Sequence, residues 1–433
     1  MPLVDSLLTP AGDLQHKETY NLVMISNVDI CIRGRGVVGG TTALLLSRLN
    51  LSVQVAGYAS PKQAEDIRAY AINSKSKHIL ELINAWPGEE YCTEVQQMHV
   101  RSDEGEIVEF LKPNSVSNQS QSNALTWIVE VGALERKIAE TLEKHKIPKL
   151  MLDMSDSVED DSRIGKQAER VNARLTVICE GSKSPSKANL HTKTSKHPYG
   201  QFALATHVKS KNGHAKHFGN AYQWFNKIST DKGSALKEFE ILALLPIGGK
   251  EGDSYAIVWS TSKERNSQLK TMSSDEFSEA LCSSTKGLFD DLVPFTDRQT
   301  WPLTLSTTQA WSGSFNAQQS WVLCGDCAHC VHPLSGMGLN LGLADAWSLY
   351  EHLLTREQKS SWRDLSDLRL LKAYERERKL AIYPYVQFID KVQRLFASDY
   401  AIYGIVRNKG FKVFNTLGAL KEWTIKRAMQ INL

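Results

Sequence analysis

The sequence predicts an α/β fold: one parallel sheet with crossover helices, a second antiparallel sheet, and a helical C-terminal segment. Three stretches predict it. Val28-Asp29-Ile30-Cys31-Ile32 is a short apolar strand that runs into Gly34-Arg35-Gly36-Val37-Val38-Gly39 and an Ala/Leu-rich helix over 41–49. Between Gln201 and Trp259, alternating apolar segments separated by turn residues read as an antiparallel sheet. Trp321 to Cys324 is a second buried strand, stopped by Gly325-Asp326; a loop with Pro333 and two glycines leads from it to an apolar helix beginning near Leu339.

The chain has 433 residues, enough for two or three domains with substantial cores. Its net charge of +3 is thinly spread, and no basic block points to nucleic acid as a partner. No apolar run reaches the length of about 18 residues that a membrane-crossing helix needs. Residues 1–27 contain Asp5, Asp13 and Glu18 and no basic flank beside an apolar stretch, so they read as a flexible extension rather than a leader. Seven cysteines, an odd number with several inside strand patterns, fit a reducing compartment, and the cytoplasm is the expected location. No internal repeat is visible.

The first glycine turn sits between a strand and a helix, and Val53-Gln54-Val55 supplies the second strand of a βαβ unit. In that setting Gly34 permits the tight turn, Gly36 lets a pyrophosphate approach the backbone, and Gly39 allows close helix–strand packing. This is a dinucleotide-binding pattern. Arg35 inside it either projects to solvent or adds charge beside the phosphates, and both readings stay open. At the end of the second strand, Gly57 stands where an acidic residue usually holds the adenosine ribose, and neither Tyr58 nor Ser60 replaces it. Losing such a charge-assisted hydrogen bond costs roughly 1.5–3 kcal/mol of binding.

The second turn repeats the logic of strand, glycine-rich loop and helix start, whose free N–H groups attract negative charge. Asp326 at the strand's end is an acceptor for a sugar or ribitol hydroxyl. Gly325, Asp326, Ala328, His329, His332, Pro333, Gly336, Gly338, Asn340, Leu341 and Gly342 together resemble the second flavin motif of the FAD-dependent aromatic hydroxylases, nearest to the ubiquinone-biosynthesis branch. Met337 stands where that branch usually has Gln, and Cys327 where it has Ala. Asp66-Ile67-Arg68, Val129-Glu130 with Leu134, and the C-terminal helices also resemble the branch. So does Glu180-Gly181-Ser182-Lys183-Ser184, with Lys187 following, for the family's Asp-Gly-x-x-Ser-x-x-Arg. The resemblance covers about residues 28 to 430.

It implies an architecture like that of p-hydroxybenzoate hydroxylase. A Rossmann-like FAD-binding domain would take residues 28–95, 125–190 and 300–350, and an antiparallel-sheet substrate domain 96–124 and 195–299; a C-terminal helical segment, 351–433, would complete it. By the same match, FAD would be held by Gly34, Arg35, Gly36, Val37, Val38, Gly39, Arg68, Gly181, Gly325, Asp326, Pro333, Gly336, Met337, Gly338, Leu339 and Asn340. Pro333, Gly336 and His332 would lie at the catalytic edge. His329 or His332 would either relay a proton or serve structure alone. The implied reaction is hydroxylation of an aromatic ring, with NAD(P)H as reductant and O2 as co-substrate, through a flavin C(4a)-hydroperoxide. The implied substrate is a polyprenylated phenol on the way to ubiquinone, handled within a multiprotein ubiquinone-synthesis complex.

Other segments are less settled by their residues. Gln97 to Phe110 reads as a hairpin around Asp103-Glu104-Gly105, and 274–288 as a helix. Pro148 to Arg170 is short and acidic and reads as an exposed loop, as if part of the usual sheet were missing. Trp224, Phe225, Leu245 and Trp259 either line a substrate pocket or fill the core. After Ala381, cations such as Arg407, Lys409 and Lys426 alternate with Tyr403, Phe411 and Trp423. Peripheral contact with the inner membrane and ordinary amphipathic packing both fit that pattern. Two rival classes stand beside the hydroxylase. Cys324, Cys327, Cys330, His329 and His332 have a metal-like spacing, although they overlie a flavin loop and no metal is expected. Gly57, the shortened 148–170 region and Met337 also suit a flavin-poor, noncatalytic homologue that binds quinone precursors or assembles with other pathway proteins.

Overall fold

The structure, a computed structural model, describes residues 25–58, 66–102, 107–111, 124–152, 170–211, 219–229, 237–249, 252–331 and 336–397. At its centre is a six-stranded sheet. The order across it is Ser312–Ser314, Ser320–Leu323, Arg170–Ile178, Ile25–Arg33, Val53–Tyr58 and Lys149–Leu152. All neighbours run parallel except Ser312–Ser314, which turns back on Ser320–Leu323. Successive residues of a strand point to opposite faces. Ile30, Ile32, Val55, Val177 and Val322 therefore share one buried face, together with Leu45, Leu134, Ile138 and Leu343 from the covering helices. Those helices are Val37–Leu46, Val131–Lys144 and Gly338–Lys359.

The α/β class expected from the sequence is the one observed, with three adjustments. The first strand begins at Ile25, inside the stretch expected to be a flexible extension. The region 148–170 is not all loop: Lys149–Leu152 is an edge strand on Val53–Tyr58, and Arg170 already opens the next strand. Its residues 153–169 lie outside the described ones, as do 1–24 and 398–433, so the cationic C-terminal stretch from Tyr403 to Arg427 does too. A boundary at residue 300 falls within the strand Gln299–Thr308, which pairs in the second sheet.

That second sheet runs His329–Cys330, Gln299–Thr308, Thr194–Ser210, Ser254–Ser262, Lys237–Ile247, Asn220–Ser229, Gln97–Arg101, Ile107–Leu111, with Leu292–Pro294 also on Thr194–Ser210. It is antiparallel except where Asn220–Ser229 meets Gln97–Arg101 in parallel. The four segments read between Gln201 and Trp259 all lie in its strands, and the strands of the expected hairpin pair in register. Trp224 and Trp259 are core residues, fully buried with Phe277 and Phe289 beneath the helices Lys263–Thr271 and Ser274–Ser284. The second helix starts at a capping box, Ser273 with Glu276. Leu245 faces the other way, against Ile128 and Val95 of the small antiparallel sheet Ala69–Ile72, Thr126–Glu130, Cys92–Val95.

Candidate functional site

The first glycine turn is held by close backbone contacts. Gly34 has φ +121, and a Cβ there would lie 2.4 Å from the Cys179 carbonyl oxygen. A Cβ on Gly39 would lie 2.1 Å from the Gly34 oxygen. Both positions therefore exclude a side chain for packing reasons. Gly36 differs. Its Cβ direction is open, the nearest atom being Glu135 Oε1 at 3.9 Å, and it caps the helix Val37–Leu46 without a side-chain hydrogen bond. Open backbone at an uncapped helix start is what a diphosphate requires.

The second turn meets the first through Val38. A Cβ on Gly325 would lie 3.4 Å from Val38 Cγ1, and one on Gly342 2.7 Å from Val38 Cγ2. Gly325 (φ +64) and Gly336 (φ +61) take backbone angles that favour glycine. Two turns almost three hundred residues apart are thus brought side by side. The helix Gly338–Lys359 begins after Met337, again with no side-chain cap. Leu339 packs at the rim of the main core, and Gly338 is open apart from Val331 Cγ2 at 4.0 Å.

Asn340 links this helix to the segment carrying Arg68. Its Nδ2 donates to the Ala71 carbonyl at 2.7 Å, and its Oδ1 accepts from Asn73 N–H at 2.9 Å. With both ends of its amide engaged by backbone, Asn340 positions the site rather than reaching into it. Arg68 lies on the segment so held, chelated by Asp66 with Nη2–Oδ2 at 2.5 Å, and it donates to Tyr70 Oη at 3.1 Å. Burial drives the Tyr70 hydroxyl up to about 12. Asp66 remains below the usual carboxylate range: burial works upward on it, but the hydrogen bonds and charge of Arg68 prevail.

Asp326 follows the strand Ser320–Leu323 in the turn Gly325–Cys327. Its side chain is exposed, yet the protein around it pushes the carboxyl above its ordinary range, opposed in part by His329 and Arg68. Behind it His329 is buried against Asp345, Nε2 to Oδ2 at 2.7 Å, and Arg378 Nε meets the other Asp345 oxygen at 2.6 Å. Gly325 N–H also donates to Asp345, at 2.8 Å. The sequence reading missed Asp345 and Arg378. The signal was available: Asp345 is a lone carboxylate among Leu341, Ala344, Ala346 and Leu349 on an apolar helix face.

The loop after Arg170–Ile178 is stapled by Glu180, which accepts from Arg33 Nε at 3.2 Å, Ser184 Oγ at 2.6 Å and Ser186 Oγ at 2.7 Å. Gly181 (φ +78) has nothing within 4 Å of its Cβ direction. Lys187 is buried, donates to the Cys327 carbonyl at 3.1 Å, and has its ammonium pKa lowered by that burial. The motif cysteines have separate hydrogen-bond partners. The Cys324 thiol meets Tyr374 Oη at 3.2 Å, whereas Cys327 donates to the Gly181 carbonyl at 3.1 Å. Among the described residues no group of three or more His, Cys, Asp or Glu could hold a metal ion. His332 and Pro333 lie outside the described residues.

Arg35 lies along the second strand. Its stem lies across Gly57: a Cβ there would be 2.5 Å from Arg35 Cγ and 2.6 Å from Cδ, and Nη1 reaches Met151 Sδ at 2.9 Å.

A family model described as FAD binding domain matches residues 27–388. The chain belongs to this family of FAD-binding monooxygenases, built on the p-hydroxybenzoate-hydroxylase-like architecture. It is 24% identical over 416 residues to "Ubiquinone hydroxylase UbiL" of Rhodospirillum rubrum, covering 93% of this chain and 89% of that one. It is 24% identical over 417 residues to the "3-demethoxyubiquinol 3-hydroxylase" of Escherichia coli (strain K12), covering 93% and 98%. Its fold is that of p-nitrophenol 4-monooxygenase PnpA from Pseudomonas putida DLL-E4, at TM-score 0.68, 15% identity and coverage of 94% and 100%.

The residues fit FAD. Open Gly36 with the uncapped start of Val37–Leu46 suits the diphosphate, and the exposed carboxyl of Asp326 suits a ribitol hydroxyl. The cofactor of the class is FAD, reduced by NAD(P)H, and when bound it supplies the redox and oxygen chemistry. The protein's part is to bind, orient and stabilise charge. The N–H groups opening Gly338–Lys359 would stabilise negative charge placed beside them.

Proposed function

We propose that this chain hydroxylates the aromatic ring of a polyprenylated phenol in ubiquinone biosynthesis. The supporting observation is likeness along nearly the whole chain to two proteins named as ubiquinone-type hydroxylases. The second flavin motif agrees with it: Gly325 and Gly342 pack on Val38 of the first turn, and His329 and Asn340 are held by hydrogen bonds beside them. In this reading Gly34 to Gly39 receive the diphosphate and Arg68 faces it; Pro333, Gly336 and His332 border the reacting ring. The substrate's prenyl tail remains with the inner membrane, and the C-terminal stretch from Tyr403 to Arg427 provides peripheral contact there, within a complex of pathway proteins. No described helix is long and apolar enough to cross a membrane.

The test is deletion in the native host followed by mass analysis of quinone precursors. A polyprenylated phenol lacking one hydroxyl should accumulate and disappear on complementation. An unchanged precursor profile would overturn the substrate assignment.

A further inference from the structure

Arg35 and Gly57 form an interlocked pair. Any side chain at position 57 would start 2.5 Å from Arg35 Cγ, so the missing acid and the laid-over arginine depend on each other. This is the C-terminal edge of the second strand, beside the turn that takes the adenosine half of a dinucleotide. A carboxylate here accepts from the ribose hydroxyls; a guanidinium can only donate, and its fork of N–H groups matches phosphate oxygens. Among the described residues the charge is also unmatched. Neighbouring Arg33 is paired with Glu180 and donates to Tyr58 Oη at 3.2 Å, whereas Arg35 meets a thioether sulfur, a weak acceptor. Among the described residues no carboxylate pairs with Arg35.

We propose that Arg35, laid across Gly57, makes the adenosine end of the first turn a receptor for nucleotides that carry a phosphate on the adenosine ribose. Nucleotides of the NADP(H) class carry that group and FAD does not, so they compete with FAD at this turn. The proposal rests on the assignment of Gly34–Gly39 to the adenosine diphosphate half of the cofactor.

The experiment titrates the full chain with 2′,5′-ADP, 5′-ADP and FAD by calorimetry at fixed low salt, and follows displacement of FAD by the rise of free-flavin fluorescence. The wild type should bind 2′,5′-ADP about tenfold more tightly than 5′-ADP, the size of one charge-assisted contact. 2′,5′-ADP should also displace FAD. In Arg35→Ala the preference should vanish, and the exposed position, outside the core, should let the variant fold. Arg35→Lys should keep part of the preference. Gly57→Ala should reduce it by pushing the arginine stem aside. Equal affinities in the wild type, with FAD still bound, would overturn this proposal alone. A preference that survives Arg35→Ala would place the phosphate on another residue and overturn it equally. Failure to bind FAD and both nucleotides would remove the flavin site itself, and the proposal with it.

Discussion

His329 Nε2 lies 2.7 Å from Asp345 Oδ2, and both side chains are buried. Burial pushes the Asp345 carboxyl up, but the charges of His329 and Arg378 and their hydrogen bonds prevail and hold it below its ordinary value. An ionised carboxylate only accepts, so the proton between them sits on His329 Nε2. Asp345 also accepts from Gly325 N–H, so one carboxylate fixes the second glycine turn, an imidazole and the long helix Leu368–Ala397 together.

Replacing that carboxylate should therefore be severe. Asp345→Asn leaves Arg378 buried without its counter-charge, a loss of about 3–5 kcal/mol. Urea unfolding at neutral pH measures it, and a change below about 1 kcal/mol would show that the network is dispensable.

The glycines of the first turn should separate folding from binding. Gly34→Ala meets both a positive φ and the Cys179 carbonyl, and should cost at least about 2 kcal/mol of stability. Gly36→Ala meets open space and should change stability by less than about 1 kcal/mol. It should nonetheless weaken FAD binding about tenfold by keeping the diphosphate off the backbone. Equal FAD affinity in Gly36→Ala and wild type, measured by flavin fluorescence quenching, contradicts the assigned role.

Glu135 should make FAD binding depend on pH. Its carboxyl faces Gly36, and burial followed by the charge of Asp66 raises its pKa above 4.5, against Arg68. Ionised, it repels a diphosphate; as pH falls it gains a proton and the repulsion fades. Wild-type affinity for FAD should rise from pH 8 towards pH 5, whereas Glu135→Gln should bind more tightly at pH 8 and vary little. Parallel pH profiles for the two proteins would eliminate Glu135 as the source.

Glu375 should shape the acid limb of stability. It accepts from Ser312 Oγ at 2.7 Å and from Lys372 and Lys379, joining the sheet edge to the long helix. Burial pushes its carboxyl up, but these hydrogen bonds and Lys379 take it down to about 2. A depressed folded-state pKa stabilises fully above the unfolded value near 4.5, and that contribution is lost as pH falls towards 2. Glu375→Gln should be less stable at pH 7, and its stability should fall less steeply than that of wild type between pH 5 and 3. Identical slopes in denaturant titrations across that range would refute the claim.

Much of the site was legible because its constraints are local. Gly34, Gly36 and Gly39 have distinct tasks within one strand–turn–helix unit, and the periodicity around them reveals the unit. The strands from Phe202 to Trp259 were legible for the same reason. The edge strand Lys149–Leu152 was not, since an acidic neighbourhood masked a segment whose strand character comes from pairing with Val53–Tyr58. Trp224 and Phe225 show the limit in miniature: as consecutive strand residues they face opposite sides, and Trp224 lies beneath the helices among Phe289 and Tyr222.

By itself the sequence determined the two glycine turns and the class of the sheets, because these follow from backbone freedom and hydrophobic period within short windows, and its resemblance to the aromatic hydroxylases named the cofactor. Only the tertiary structure decided what the turns do to each other. Val38 fills the gap between Gly325 and Gly342, Asn340 spends its amide on Ala71 and Asn73, and Arg35 takes the space left by Gly57. Each is a contact between segments remote or separated in the chain, where packing at close range, rather than propensity, selects the geometry.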